Sequence, residues 1–266
     1  MADLGVDALR PDDLPAALAL STQAGWNQTP EDWRRVLELS PEGCFAGRLD
    51  GRLVATATSA APAPGVQWIG MVLVDRELRG RGFGTVLLER ALAHGRRAEV
   101  VGLDATDLGR PLYLKMGFQD VAPIDRWSGA LAADGPSLSC PLDRVLELDR
   151  AALGVDRSAL LRHLASEPGV NLLASDDGYA VLRPGRTAAH LGPIVAAEPA
   201  PLLRAAGRLL RGAPLIVDVP RRPDLEAVFA AHGLTVARRL VRMTWGAPRP
   251  ALLGPRAAAA LSFEWG

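Results

Sequence analysis

The segment from residue 66 to residue 92 constrains the fold of this chain more than any other. It begins with a nine-residue run, Val66–Val74, whose apolar and β-branched side chains predict a strand. A turn rich in glycine and arginine follows at residues 79–84, and apolar residues at helical spacing after Thr85 predict a helix. The first amides of a helix have no internal acceptor, and glycine lets a ligand approach the backbone closely. This order of elements therefore predicts an anion site.

Two common glycine-rich phosphate sites do not fit this turn. A dinucleotide fingerprint would need glycine at position 85 or 87, where the chain has Thr85 and Leu87. A Walker loop needs a lysine after its last glycine, and the only lysine of the chain is Lys115. Nucleotide-binding folds of these two classes are therefore excluded.

The pattern that remains is Arg-x-x-Gly-x-Gly, formed by Arg79, Gly82 and Gly84. A second motif, Leu-Tyr-x-x-x-Gly-Phe, follows at residues 112–118, with its tyrosine at Tyr113. In this order, the two motifs resemble the cofactor site of the GNAT acetyltransferase superfamily, over residues 6–131. The predicted order β-α-α-β-β-β-α-β-α-β is the one that the resemblance implies, an α/β fold with a mixed sheet.

Length and composition bound the other possibilities. A chain of 266 residues predicts two domains. Thirty basic and thirty acidic side chains cancel, so neither nucleic acid nor an anionic membrane is an expected partner. The N-terminus does not resemble a signal peptide and no apolar run reaches membrane-spanning length, which favours a cytoplasmic protein. Two separate cysteines and four scattered histidines predict no metal site. Composition leaves open whether the protein is a monomer or a homodimer.

The second half repeats the first. The Asp-Gly turn at Asp50 has a counterpart at Asp177, at an offset of 127 residues. Where the first half has the glycine turn, the second has an acid and two prolines at residues 198–203, and Phe229 replaces Tyr113. Because proline has no N–H and a carboxylate repels phosphate, we expect one cofactor site. The predicted domains are a GNAT domain at 1–131, a linker at 132–142 and a degenerate GNAT-like domain at 143–266.

The resemblance implies that acetyl-CoA is the co-substrate and that Tyr113 protonates the departing thiolate. It also implies which residues contact the cofactor: Val72, Leu73, Val74, Arg79, Gly80, Arg81, Gly82, Phe83, Gly84, Thr85, Thr106 and Tyr113. Thr106 departs from the family pattern, which often has asparagine seven residues before the tyrosine. Its contact to the pantetheine arm is therefore open.

The sequence is less specific about the general base and about the residues that bind the acceptor. No carboxylate lies within Val66–Val74, so Asp104 on the next strand is the nearest candidate for a general base. Three roles are open for it: a direct base, a base that acts through water, or a side chain that only bonds the backbone. The segment Trp26, Asn27 and Gln28 occupies the position that forms the acceptor lip in the family. The resemblance implies acetyl transfer to an amine, and the aromatic and amide side chains of this segment favour a small molecule as the acceptor. Two alternatives are an acyl-CoA-binding sensor without catalysis and a protein N-acetyltransferase. The final residues, 261–266, are expected to form a last strand.

Overall fold

The computed structural model describes residues 4–249 and 252–266. The chain divides into two compact units. The first ends at Leu103 and also includes Trp265, while the second runs from Asp104 to Glu264 and includes Gly266. The predicted α/β class with mixed sheets is confirmed.

The first unit contains two helices before its hairpins and one helix behind its sheet. Its elements are β1 (Gly5–Ala8), α1 (Leu14–Gln23), α2 (Pro30–Leu39), β2 (Cys44–Leu49), β3 (Arg52–Ala63), β4 (Val66–Val74), α3 (Phe83–Gly95) and the start of β5 (Val100–Thr106). The strand order is β1-β2-β3-β4-β5, antiparallel except for the parallel pair β4–β5. Asp50 and Gly51 join β2 to β3 as a hairpin, with φ of 50° and 79°. Positive φ at both central residues suits the twist of a two-residue hairpin.

The second unit begins with the last three residues of β5. Its further elements are α4 (Arg110–Lys115), β6 (Phe118–Gly129), α5 (Leu142–Leu153), α6 (Ser158–Ala165), β7 (Asn171–Ala174), β8 (Tyr179–Arg183), β9 (Ala189–Val195), α7 (Ala200–Leu210), β10 (Leu215–Pro220), α8 (Pro223–Ala231), β11 (Leu234–Trp245) and β12 (Ala257–Ala259). The strand order is β11-β6-β10-β9-β8-β7, and β12 pairs with β9. A large apolar core, which includes Trp127, Leu203 and Phe229, lies under this sheet.

The two repeats have the same order of elements. After β1, the first repeat reads α1-α2-β2-β3-β4-α3-β5-α4-β6, and the second reads α5-α6-β7-β8-β9-α7-β10-α8-β11. The last strand of the first repeat, β6, lies between β10 and β11. This pairing explains why the second compact unit begins at Asp104, upstream of the predicted linker at 132–142. The predicted domain boundaries stay a prediction.

One prediction about the C-terminus is wrong. Residues 261–266 do not form a strand, and the last strand is β12. The amide of Gly266 donates to the carbonyl of Ser262 at 2.9 Å, so the backbone closes into a turn. The apolar composition of residues 261–266 does indicate burial, since Leu261 is fully buried. It could not distinguish a buried turn from a strand.

Candidate functional site

Strand β4 is interrupted by a bulge next to the residues predicted to contact the cofactor. Leu73 pairs with Thr56 and Gly70 with Thr58, so Met71 and Val72 together lie opposite one residue of β3. Met71 has a φ of 48°, and its carbonyl accepts a 2.8 Å hydrogen bond from the buried Thr56 hydroxyl. This bond stabilises a backbone conformation that residues other than glycine rarely adopt.

The pairing between β4 and β5 ends three residues before the bulge. Their parallel register runs from Val66 to Trp68 and stops at the pair Trp68–Gly102. Gly102 is required there because a Cβ would approach the Trp68 ring to 2.2 Å. Pairing with β3 continues to Val74. On the other edge, Val72, Leu73 and Val74 therefore have no strand in register among the described residues, which leaves room for an extended ligand.

The glycine turn forms an open cradle at the start of α3. Gly80 and Gly82 have φ of 78° and 84°, and Gly82 is the N-cap of α3. A Cβ added at either glycine would meet nothing within 4 Å, so this side of the turn is open. Within the described chain, no backbone acceptor takes the amides of Gly80, Arg81, Gly82, Phe83, Gly84 and Thr85. These amides, at the positive end of the helix dipole, are the donors that an anion needs.

Two arginines add full positive charge to the cradle. Arg79 and Arg81 are both exposed, and neither forms an ion pair among the residues that the structure describes. The guanidinium of Arg79 donates from Nε to the carbonyl of Val74 at 3.3 Å, which links the turn to the end of β4. The fit to a diphosphate is good, because the cradle combines unused amides, a helix N-terminus and two cations.

Tyr113 lies on the short helix α4 of the second unit. Its ring meets Phe118 edge to face, with 6.0 Å between the ring centroids. The side chain is half-buried, and the hydroxyl has no hydrogen-bond partner in the described part of the chain. Burial raises the pKa of the Tyr113 phenol to about 12. The phenol is therefore a neutral O–H donor at physiological pH.

Thr106 and Asp104 both have partners within the second unit. The amide of Gly109 donates to the Thr106 carbonyl at 3.0 Å and to its hydroxyl at 3.3 Å, forming the turn before α4. Arg242 donates to both carboxylate oxygens of Asp104 at 2.9 Å, and both side chains are fully buried. Burial raises the pKa of Asp104, while the Arg242 guanidinium acts in the opposite direction. The assignment of Asp104 as a base stays a prediction, and the contact with Arg242 weighs against it.

The predicted acceptor lip lies in the loop between α1 and α2. Trp26, Asn27 and Gln28 are half-buried, and the amide of Trp26 donates to the Ser21 carbonyl at 2.9 Å. The loop ends at a capping box, with Thr29 as the N-cap of α2 and Pro30 as its first residue. Thr29 accepts from the Asp32 amide at 3.3 Å, and Asp32 accepts from the Thr29 amide at 2.8 Å. These contacts fix the point at which the loop enters α2.

In the second repeat, the loop before α7 corresponds to the glycine turn before α3. This loop is already occupied by a side chain of the protein. The Asp177 carboxylate accepts from the amides of Ala197 and Glu198, at 3.1 and 3.4 Å, just before α7. Pro199 and Pro201 offer no amide. Desolvation acts to raise the pKa of Asp177, but these hydrogen bonds and that from Ser175 outweigh it, so the pKa is lowered. Phe229, the counterpart of Tyr113, is fully buried in the core.

Sequence reasoning missed a buried cluster of charges in the second unit. Arg126 donates to Asp218 at 2.7 and 2.8 Å, and Nε2 of His190 lies 3.3 Å from the same carboxylate. Burial alone would raise the pKa of Asp218, but the Arg126 guanidinium outweighs it and lowers that pKa. Burial, followed by the nearby Arg183, lowers the pKa of His190 to about 4. The partners are 92 residues apart for Arg126 and Asp218, so no local pattern announces them.

Two kinds of feature are absent from the described residues. No helix there has both the length and the apolar character to cross a membrane. No group of three or more histidine, cysteine, aspartate or glutamate side chains is placed to hold a metal ion in residues 4–249 and 252–266.

Comparisons with known proteins match both halves of the chain. The model of the Acetyltransferase (GNAT) family matches residues 12–118, and that of the Acetyltransferase (GNAT) domain matches residues 145–253. An uncharacterized N-acetyltransferase of Bacillus subtilis, YitH, is 26% identical over 230 residues, or 80% of each chain.

Solved structures have the same fold. A candidate acetyltransferase from Pyrococcus horikoshii superposes with a TM-score of 0.84 at 22% identity, covering 99% of this chain and 96% of that one. A GCN5-related N-acetyltransferase from Sphaerobacter thermophilus gives a TM-score of 0.65 at 18% identity, with 94% and 97% covered. The two matched family models, together with this relative and these structures, lead to one conclusion: the chain belongs to the GNAT superfamily and is a GNAT-type N-acetyltransferase with two GNAT-like domains.

Proposed function

We propose that this protein transfers the acetyl group of acetyl-CoA directly to an amine of a small molecule, using one cofactor site in the first repeat. The observation that supports this most is the difference between the two helix-start loops. The loop before α3 has open glycines and unused amides, whereas the loop before α7 is filled by the Asp177 carboxylate. One open cradle and one filled cradle favour one acetyl-CoA per chain.

Each group of the site has a proposed task. The amides from Gly80 to Thr85, with Arg79 and Arg81, hold the diphosphate. The free edge of β4 at Val72, Leu73 and Val74 pairs with the pantetheine arm and directs an amide at the thioester carbonyl. When bound, acetyl-CoA supplies the activated acetyl group.

The transfer itself exchanges one bond for another. The acceptor nitrogen bonds to the carbonyl carbon as the carbon–sulfur bond breaks, and the nitrogen loses one proton. The Tyr113 phenol, which is neutral at physiological pH, donates its hydroxyl proton towards the departing sulfur and regains a proton from solvent before the next turnover. Holding both reactants in line accounts for much of the acceleration in reactions of this kind.

The acceptor is proposed to be a small amine that contacts Trp26, Asn27 and Gln28. Indole and carboxamide groups suit a ligand with both polar and apolar parts. The base that takes the amine proton is open between Asp104, acting after release from Arg242, and water.

Calorimetry and a thiol-release assay test the proposal together. Titration with acetyl-CoA should give one site per chain, and two equivalent sites or no heat of binding would contradict it. Thiol release should then be measured across small amines and lysine-containing peptides. Tight binding without turnover for any amine would favour the sensor, and turnover confined to peptides would favour a protein N-acetyltransferase.

A further inference from the structure

Helix α4, which carries Tyr113, is too short to hold its own orientation. It has six residues, none of them fully buried, and its N-cap residue, Gly109, has no side chain that could cap it. Isolated helices of this length are marginal in water. Its exposed ion pair, Arg110 with Asp120, connects it to β6 but lies where solvent screens the charges. The direction of the Tyr113 phenol therefore depends on other contacts.

Those contacts come from the end of β11, the last strand of the second repeat. The Trp245 indole donates from Nε1 to the carbonyl of Met116 at 3.1 Å, which caps the C-terminal end of α4. The amide of Gly246 donates to the Gly117 carbonyl at 3.3 Å. Gln119 returns a bond from Nε2 to the Gly246 carbonyl at 2.6 Å. These three hydrogen bonds join the end of β11 to the chain between the end of α4 and the start of β6, and the bond from Trp245 is the one that reaches the helix end.

The hydrogen bond to Met116 lies close to Tyr113 along the chain. Met116 is three residues beyond Tyr113, one turn along the helix. Trp245 pairs in register with Phe118, whose ring supports the Tyr113 ring. The same strand also supplies Arg242, which holds Asp104 just before the turn that begins α4. Both ends of the segment 104–118 are therefore held by β11.

We infer that Trp245 is a positioning residue for Tyr113: its indole N–H caps α4 and fixes the direction of the phenol that the proposed function uses as proton donor. The inference rests on the proposed function for its catalytic consequence. It also gives the second repeat a role in catalysis, although the Asp177 carboxylate fills that repeat's own loop before α7.

Trp245→Phe is the informative variant, because it keeps a ring at this position and removes the N–H. Loss of one hydrogen bond of this kind corresponds to about a three- to ten-fold effect. We expect kcat to fall by about that factor with the KM for acetyl-CoA unchanged. Backbone hydrogen exchange of residues 113–117 should accelerate by a similar factor. Val236→Thr is the matched control, since Val236 is exposed on the same strand and should change neither quantity.

A double-mutant cycle separates positioning from general damage. If Trp245 acts through the phenol, Trp245→Phe should lower kcat no further in the Tyr113→Phe background. An equal loss in both backgrounds, or unchanged exchange in residues 113–117, would overturn the inference. A wild-type protein without turnover would instead contradict the proposed function. The exchange measurement would then test by itself whether the hydrogen bond from Trp245 holds α4 in place.

Discussion

At the scale of single residues, Tyr113 is the most direct test of the proposed chemistry. Tyr113→Phe retains the ring that packs on Phe118 and removes only the hydroxyl. We expect turnover to fall by about one hundred-fold, the lower range for a general acid, with acetyl-CoA affinity unchanged. Steady-state kinetics and calorimetry measure the two effects. Equal turnover in the variant would remove Tyr113 as the proton donor.

The same residue makes a prediction about pH. Because burial raises its pKa to about 12, the Tyr113 phenol should stay protonated over the range in which the protein is assayed. The kcat of the wild type should show no decline from phenol ionisation below about pH 10. Profiles of the wild type and of Tyr113→Phe should be parallel there. A basic limb that disappears in the variant would show that the phenol titrates earlier than its burial implies.

His190 should make stability depend on pH. Its folded-state pKa is lowered from 6.5 to about 4, so the unfolded chain binds more protons between these values. Stability from this group is full above pH 6.5 and is lost as pH falls towards 4, by roughly 3 kcal/mol. Urea unfolding at several pH values measures it. The loss should be smaller in His190→Gln, and an identical pH dependence in both proteins would contradict the assignment.

At the scale of elements, the two loops that precede α3 and α7 occupy the same place in the repeat and differ in chemistry. In the first, glycines at positive φ leave the amides of residues 80–85 without a backbone acceptor among the described residues. In the second, prolines remove amides and Asp177 accepts two of those that remain. The repeat therefore keeps its geometry while only one loop can receive an external anion.

A matched pair of glycines tests the first loop. Gly82 and Gly51 have φ of 84° and 79°, and both face open space. Alanine at either position should lower the free energy of unfolding by about 1 to 2 kcal/mol, since both would adopt the left-handed region. Only Gly82→Ala should also weaken acetyl-CoA binding, by at least about ten-fold, because its Cβ enters the space proposed for the diphosphate. Calorimetry and denaturant unfolding of both variants check this, and equal affinity in the two would contradict the cradle.

At the scale of the whole molecule, β6 makes the first repeat depend on the second. It pairs with β10 along one edge and with β11 along the other. A fragment of residues 1–131, the predicted N-terminal domain, would expose both edges of β6 and lose its core partners. We expect this fragment to be unfolded or aggregated by circular dichroism and gel filtration, and to be rescued by co-expression with residues 132–266. A folded 1–131 fragment that binds acetyl-CoA would contradict this dependence.

The sequence by itself determined the local elements and the chemistry of the cradle. The glycines at Gly80 and Gly82 permit positive φ and the pair Asp50-Gly51 favours a turn, because each of these features depends on a few neighbouring residues. The internal repeat could also be predicted from the sequence, because it is a pattern of residues along the chain.

Only the tertiary structure decided which distant residues meet. Arg242 lies 138 positions from Asp104, and Trp245 lies 129 positions from Met116, so no local periodicity connects either pair. The place of β6 between β10 and β11 likewise depends on which strand edges are available once the chain has folded. Local conformation depends on the steric preferences of short segments, whereas long-range pairing depends on how the complete core packs.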